Sequence, residues 1–344
     1  MKLATIRLDA PDSVTRRLRG RLVVVDDDQG TVAEVPEDIT PDLWTALHEW
    51  DRVEPELRKT DARLKAGDHK KTRAFDDCRF LAPLPRTTSW LDGSAFIQHI
   101  ILVRKARGAE PPEDLRTVPL MYQGVGDPLL GPTDDIPVTS EDYGIDFEAE
   151  VAVVLDDVPM GTKPADAEKH IKLVLLMNDV SLRKLIPREL KAGFGFFHGK
   201  PPSSFAPYAV TPDALGSAWK DGRVQLEMNS ELNGEPFGHP HAGEMYFSFP
   251  QLIEHAAKTR PLPAGTILGS GTVSNEDESV GSSCLAEKRM LETIKDGKPT
   301  TEFMRFGDRI RIWMEKDGKS VFGDIDQKVV QAGATATVTT AGRA

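Results

Sequence analysis

Apolar and polar positions alternate, or run β-branched, from Leu3 to Leu8 and from Leu22 to Val35, which predicts strands. Asp27-Asp28-Gln29-Gly30 between Val25 and Thr31 has the composition of a hairpin turn, so a small β unit opens the chain. The spacing then becomes helical, with Leu43, Trp44, Leu47 and Trp50 following an N-cap and first-turn proline at Thr40-Pro41. A second helical piece is expected from Pro55 to Ala66, stopped by Gly67, with loop from Asp68 to Arg73. The prolines of Phe80-Leu-Ala-Pro-Leu-Pro85 impose an extended linker and put a domain boundary near residue 80.

From Trp90 to Arg107 the pattern is mixed and includes a short helix, and residues 108–143, rich in Gly, Pro and acids, read as a long surface loop with short strands. Gly144 to Leu155 reads as a strand, Lys163 to His170 starts helical, and the apolar run Leu173 to Met177 delivers Asn178-Asp179 to its end. Gly193 to Lys200 is an aromatic, Gly-rich loop expected to be mobile. Strand signals dominate after it, at Val224 to Asn229 with a turn at Asn233-Gly234, at Thr266 to Thr272, and at Ile310 to Met314 and Ser320 to Ile325 around Asp317-Gly318. A helix capped by Ser248 and started by Pro250 carries Leu252, Ile253 and Ala256. The sum is an α+β, β-rich chain, divided as 1–80, 81–330 and a small-residue, Thr-rich tail at 331–344 that reads as disordered.

Composition narrows the class without naming a function. With 39% hydrophobic and 28% charged residues the chain is an ordinary globular one, and its 344 residues suffice for a large core. A formal charge of −11 argues against a nucleic-acid surface, and no apolar run reaches the ~20 residues that span a bilayer. Lys2 and Arg7 stand where a signal peptide would be apolar, and two cysteines, Cys78 and Cys284, give neither a disulfide framework nor a metal cluster. A reducing cytoplasm is the expected compartment.

The candidate chemistry starts at Asp146-Phe-Glu148-Ala-Glu150. Along a strand the three acids share one face about 6 to 7 Å apart, and repel one another unless a cation sits among them. Oxygen-only ligands suit a hard divalent ion, Mg²⁺ first, with Ca²⁺ or Mn²⁺ as alternatives. A solvent-facing acidic strand is the plain alternative. Elsewhere Asp92 precedes His99 by seven residues, Asp179 and Arg183 have the spacing of a helix-surface pair, Lys200 follows a glycine, and Glu287 follows Cys284-Leu-Ala. Singly each has a dull reading: His99 as a half-buried histidine, Gly269-Ser-Gly-Thr272 as a turn, His239-Pro-His241 as a loop.

Together, Asp92 with His99, the acidic strand, Met177-Asn-Asp179-Val-Ser-Leu-Arg183, Gly199-Lys200 with Ser203-Ser204, Gly269-Ser-Gly-Thr272 and Glu287 resemble the fumarylacetoacetate hydrolase family from about Pro83 to Val330. The resemblance implies a mixed β-roll catalytic domain behind a small N-terminal β domain, usually as a homodimer. It implies that Asp92, Glu148, Glu150 and Asp179 hold a divalent cation, with Asp146 outside the set. His99 matches the general base and Glu287 the acid that orients it. Arg183 and Lys200 match the groups that stabilise an oxyanion, and Arg107, Tyr122, Ser203, Ser204 and Thr272 match substrate contacts. The implied reaction is hydrolysis of a carbon–carbon bond in a fumarylacetoacetate- or acylpyruvate-type diketo acid, as in tyrosine or other aromatic catabolism. Ile186 and Ser94 depart from the family's polar side chains and bear on the substrate. Two rivals stand beside this reading: decarboxylation of a 2-oxo acid or hydration of a 2-oxo-enoate on the same fold, and a non-enzymatic binding protein with a structural cation.

Overall fold

The computed structural model describes residues 1–333, apart from Ala10, Asp12, Arg107, Gly108, Ala109 and Pro112. Its spine is an eleven-stranded sheet. Across it run Thr72–Ala74, Thr31–Glu34, Arg21–Asp26, Lys2–Ile6, Tyr208–Val210, Ile171–Asn178, Ala149–Leu155, Ile267–Gly269, Trp90–Gly93 and Met121–Gln123, with Ser204–Phe205 paired to Ile171–Asn178 off this path. Among the described residues the path has two free ends and closes no barrel. Its pairings are antiparallel except Ile267–Gly269 with Trp90–Gly93, which are parallel. A second sheet orders Glu235–Gly238, Asn229–Leu232, Arg309–Trp313, Ile325–Gln331 and Ile136–Val138.

The long central strand Ile171–Asn178 is apolar from Leu173 to Met177 because both of its faces are covered there. Leu173, Leu175 and Met177 pack with Leu3, Leu22 and Val24 and with Leu43, Leu47, Val53 and Leu57 of two front helices. Val174 and Leu176 point the other way, among Phe147, Phe249, Leu252 and Phe322. The front residues extend the same sheet, since Lys2–Ile6 pairs with Tyr208–Val210 in the register Leu3↔Ala209. Phe80–Pro85 is extended as expected and lies along that first strand, with Leu81 N donating to Thr5 O at 2.9 Å and Thr5 Oγ1 donating to Pro83 O at 2.7 Å.

Several local expectations need correction. The first front helix is Leu43–His48 and its cap is Asp42, whose carboxylate accepts from Thr45 N at 2.7 Å; Thr40 instead donates its hydroxyl to Asp42 O. The second helix begins at Trp50 and runs to Lys65 with Pro55 inside it. Proline forgoes one backbone hydrogen bond there. Burial of Val53, Leu57 and Leu64, worth about 2 kcal/mol each, outweighs that loss. Several helices left no readable signal, among them Val14–Arg19, Ile186–Ala192 and Leu285–Asp296. The strand expected at Ser320 to Ile325 is displaced, because Asp317 and Gly318 take positive φ in the small hairpin Glu315–Lys316/Lys319–Ser320 and the last long strand starts at Ile325. Of the tail, Gln331 ends that strand and Ala332 N donates to Val138 O, while residues 334–344 lie outside the described ones.

The acidic stretch is also not one strand. It divides into Ile145–Asp146 and Ala149–Leu155, because Glu148 N donates to the Asn178 side chain at 3.1 Å and Glu148 O accepts from Asp179 N at 2.9 Å. That break sets the directions of the three acids independently.

Candidate active site

Asp92, Glu150 and Asp179 converge because three strands of the main sheet deliver them at one end. Glu150, second in its strand, stands opposite Met177, Asp179 follows the partner strand directly, and Asp92 pairs in register with Gly269 on the strand between. One oxygen each of Asp92, Glu150 and Asp179 lies within 4.8 Å of the others, all buried. Gly269 makes room for this: a Cβ there would meet Asp92 Oδ1 and the Trp90 ring at 2.5 Å. Asp92 Oδ1 accepts from Gly271 N at 3.0 Å, and Asp179 accepts from Ser203 Oγ at 2.8 Å and Tyr122 OH at 2.5 Å.

Glu148 belongs to the same cluster but is differently engaged. Its Oε1 pairs with Arg183 Nη2 at 2.6 Å and its Oε2 with the Lys200 ammonium, which also pairs with Asp179 at 2.5 Å. Burial pushes Glu148 up, yet Arg183 and Lys200 more than reverse this and hold it far below the usual carboxylate range. Burial, and then the charge of Asp179, push Asp92 up to about 8. Glu150 is raised well above its ordinary value by burial and then by Asp92, and Asp179 is raised chiefly by burial. Burial works against the Lys200 charge, but Asp179 and Glu148 hold it above the usual lysine range.

These observations test the fit of a divalent cation. Both oxygens of Glu150 are buried without a hydrogen-bond partner, a costly state for a carboxylate. Five buried acids, Asp92, Asp146, Glu148, Glu150 and Asp179, face two cations, Arg183 and Lys200. An all-oxygen, buried, anionic pocket with unmet acceptors suits a hard divalent ion.

His99 lies on the helix Ile97–Ala106, and its Nδ1 is 2.8 Å from Glu287 Oε2 on the helix Leu285–Asp296. Asp146 explains how the second helix is fixed. Its Oδ1 accepts from Leu285 N at 2.7 Å, and its Oδ2 accepts from Ala286 N at 2.9 Å and Arg183 Nε at 2.7 Å. The acid that the strand pattern alone added to the cation set therefore caps the helix bearing Glu287, where a negative charge is favourable.

A cavity of about 640 Å³ joins these groups, lined by Asp92, His99, Tyr122, Glu148, Arg183 and Lys200 among others. Thr272 lines it, as do Ser94 and Ile186, the two departures from the family pattern. Tyr122 reaches the cavity while its hydroxyl serves Asp179, and Ser203 serves Asp179 from behind. Ser204 is buried in the short strand beside Asn178 and does not line the cavity. Arg107 lies outside the described residues. The sequence reading missed Phe196, Arg104, Arg289 and Phe303 on the cavity wall. Phe196 packs edge-on against Tyr122, and the loop bearing it is tied down by Glu189, which accepts from the backbone N–H groups of Phe197, His198 and Gly199. His239 and His241 belong to no acid–histidine cluster among the described residues.

The family described as "Fumarylacetoacetate (FAA) hydrolase C-terminal" matches residues 88–330, and "Fumarylacetoacetase N-terminal domain 2" matches residues 1–86. An oxaloacetate tautomerase of Bacillus subtilis is 26% identical over 248 residues, 71% of this chain and 72% of its own. A maleylpyruvate hydrolase from Sphingobium sp. SYK-6, solved with manganese(II) and pyruvate, superposes with a TM-score of 0.63 at 17% identity over 97% of this chain and 100% of its own. A 5-carboxymethyl-2-hydroxymuconate delta-isomerase from Mycobacterium smegmatis gives 0.61 at 17% identity over 96% of this chain and 100% of its own. Matches that together extend over nearly the whole length show that the chain belongs to the fumarylacetoacetate hydrolase family.

Proposed function

We propose that this protein is a divalent-cation-dependent hydrolase that cleaves a carbon–carbon bond in a β-diketo acid. The observation that carries the reading is the pair of bare Glu150 oxygens beside Asp92 and Asp179, in the same cluster as a cavity that presents His99. Asp92, Glu150 and Asp179, with Glu148 beside them, would hold the ion, Mg²⁺ or Mn²⁺. Once bound it supplies Lewis-acid polarisation of the substrate's 2-oxo acid head.

The chain's own residues supply the rest. Glu287 accepts the Nδ1–H of His99, which leaves Nε2 as the acceptor of a proton from water. The hydroxide adds to the distal carbonyl carbon, the resulting oxyanion collapses with rupture of the adjacent carbon–carbon bond, and the electron pair of that bond leaves as the enolate of the 2-oxo acid, which takes up the proton held by His99. Arg183 and Lys200 bring positive charge to that oxyanion, a role worth about 3 kcal/mol per donor in comparable sites. Phe96, Ile100, Leu120 and Phe196 give the cavity apolar walls that limit competing water.

A second reading rests on the relatives named for tautomerase and isomerase activity. Moving a proton between carbon and oxygen requires the same base and no added water. Product analysis by NMR with Mg²⁺ or Mn²⁺ decides between them. Two carboxylic products from an acylpyruvate support the hydrolase, keto–enol equilibration of oxaloacetate without cleavage supports the tautomerase, and neither outcome with any diketo or 2-oxo acid refutes both.

A further inference from the structure

The lining of the cavity carries charges of both signs. Asp92 and Glu148 supply the carboxylates. Beyond Glu287 on the helix Leu285–Asp296 stands Arg289, which lines the cavity together with Ala286, Met290 and Thr293, positions at helical spacing. The helix Ile97–Ala106, packed against it, contributes Phe96 just before it, then His99, Ile100, Val103 and Arg104 along one face. Arg104 follows His99 by five residues, about 7.5 Å along the axis. Both arginines lie further along their helices than the residues of the His99–Glu287 pair.

Arg289 is pre-oriented but unpaired. Its guanidinium carbon sits 4.3 Å from the centre of the Phe303 ring, and one Nη donates to Thr301 O. Among the described residues no carboxylate lies within ion-pair distance of Arg289 or Arg104, whereas Arg183 has two. A guanidinium has five N–H donors in a planar fork, and the ring fixes that plane, which suits bidentate capture of a carboxylate. The plain explanation is that Arg289 ties its helix to the following loop. That tie already exists, because Glu292 of the same helix accepts from Thr300 N at 2.6 Å and Thr301 N at 2.8 Å. Much of the remaining wall is apolar: Ile100, Val103, Leu120, Phe196, Met290 and Phe303.

We infer that Arg289, assisted by Arg104, is a specificity-determining residue that binds a second carboxylate at the far end of the substrate, so that the preferred ligand is a 2-oxo dicarboxylate with a short apolar spacer. The inference rests on the proposed cation-held 2-oxo acid head and narrows it, since a simple acylpyruvate ends in an alkyl group. Its test needs binding and not turnover. Titration calorimetry on the full-length Mn²⁺-loaded protein compares 2-oxoadipate with 2-oxohexanoate, which share a head and chain length and differ in a terminal carboxylate against a methyl group. The wild type is expected to bind 2-oxoadipate at least about tenfold more tightly, the order of one charge-assisted pair. Arg289→Met is expected to erase that preference while leaving 2-oxohexanoate affinity within about threefold. Arg289→Lys keeps part of it, and Arg104→Gln, at an exposed position, reduces it. Equal affinity of the wild type for the two acids, which no folding defect can cause, overturns the tail assignment alone. Failure of both acids to bind overturns the shared head reading with it.

Discussion

Replacing Glu150 by glutamine isolates the carboxylate cluster as a physical cause. Asp92 is pushed up to about 8 in the folded protein from an ordinary 3.8. Between those values the folded state therefore holds a proton that the unfolded chain has released, and stability falls as pH rises, by about 1.4 kcal/mol per pH unit for one proton. Glu150 and Asp179 are shifted in the same sense. Glu148, held far below its usual value, and Lys200, held far above, do not change charge near neutrality and do not oppose the trend. From pH 5 to pH 8 the metal-free protein should lose about 4 kcal/mol. At ~2.1 cal/mol/K per residue, 344 residues give an unfolding entropy of about 0.7 kcal/mol/K, so this loss lowers Tm by about 6 °C. Glu150→Gln removes one repelling group, so the metal-free variant should show a shallower fall and a higher Tm than wild type at pH 8. Mn²⁺ at about 100 times its Kd should raise the wild-type Tm by about 4 °C, from ~2.7 kcal/mol of linkage, and leave the variant unchanged. Calorimetry in chelated and Mn²⁺-supplemented buffers at pH 5, 6, 7 and 8 reads all of this. A metal-free wild type that becomes more stable with rising pH, or a variant with an undiminished Mn²⁺ response, would refute the reasoning.

His99→Gln should preserve the Mn²⁺-induced rise in Tm and lower turnover by about 10² to 10⁴; undiminished turnover removes His99 as the base. Asp146→Asn takes the negative charge from the first turn of the Glu287 helix and from Arg183, and should cost about 3 kcal/mol in denaturant unfolding. An unaffected midpoint would show that the helix is capped another way. Gly269→Ala introduces a methyl group at 2.5 Å from both Asp92 Oδ1 and the Trp90 ring, so it should abolish the Mn²⁺ response as well as lower Tm, and a normal Mn²⁺ titration would contradict the crowding argument.

What the sequence discloses follows how local the physics is. The period-two alternation and the Asp27–Gly30 turn depend on adjacent residues, and the front hairpin stands where they place it. The sharing of one cluster by Asp92, Glu150 and Asp179 was readable only through a family pattern, because Asp92 is brought to the others by parallel pairing with a strand more than a hundred residues away. Asp146 shows the limit. Period two puts it on the face of Glu148 and Glu150, but the chain breaks between them, and its partners Leu285, Ala286 and Arg183 come from distant segments. Arg289 carried no signal at all, since one arginine on an amphipathic helix looks like any solvated charge until Phe303 and the cavity are seen beside it.

Because Lys2–Ile6 hydrogen-bonds directly to Tyr208–Val210, and because Leu43, Val53 and Leu57 roof the strand that leads into Asp179, the amino-terminal quarter works as scaffolding for the buried carboxylate cluster and not as an appendage. Excising it would bare a raw strand edge and one whole apolar surface, an invitation to aggregate. Damage there, at residues that do not line the cavity, should register as lost Mn²⁺ response, and the two family-matched portions should melt as one cooperative body.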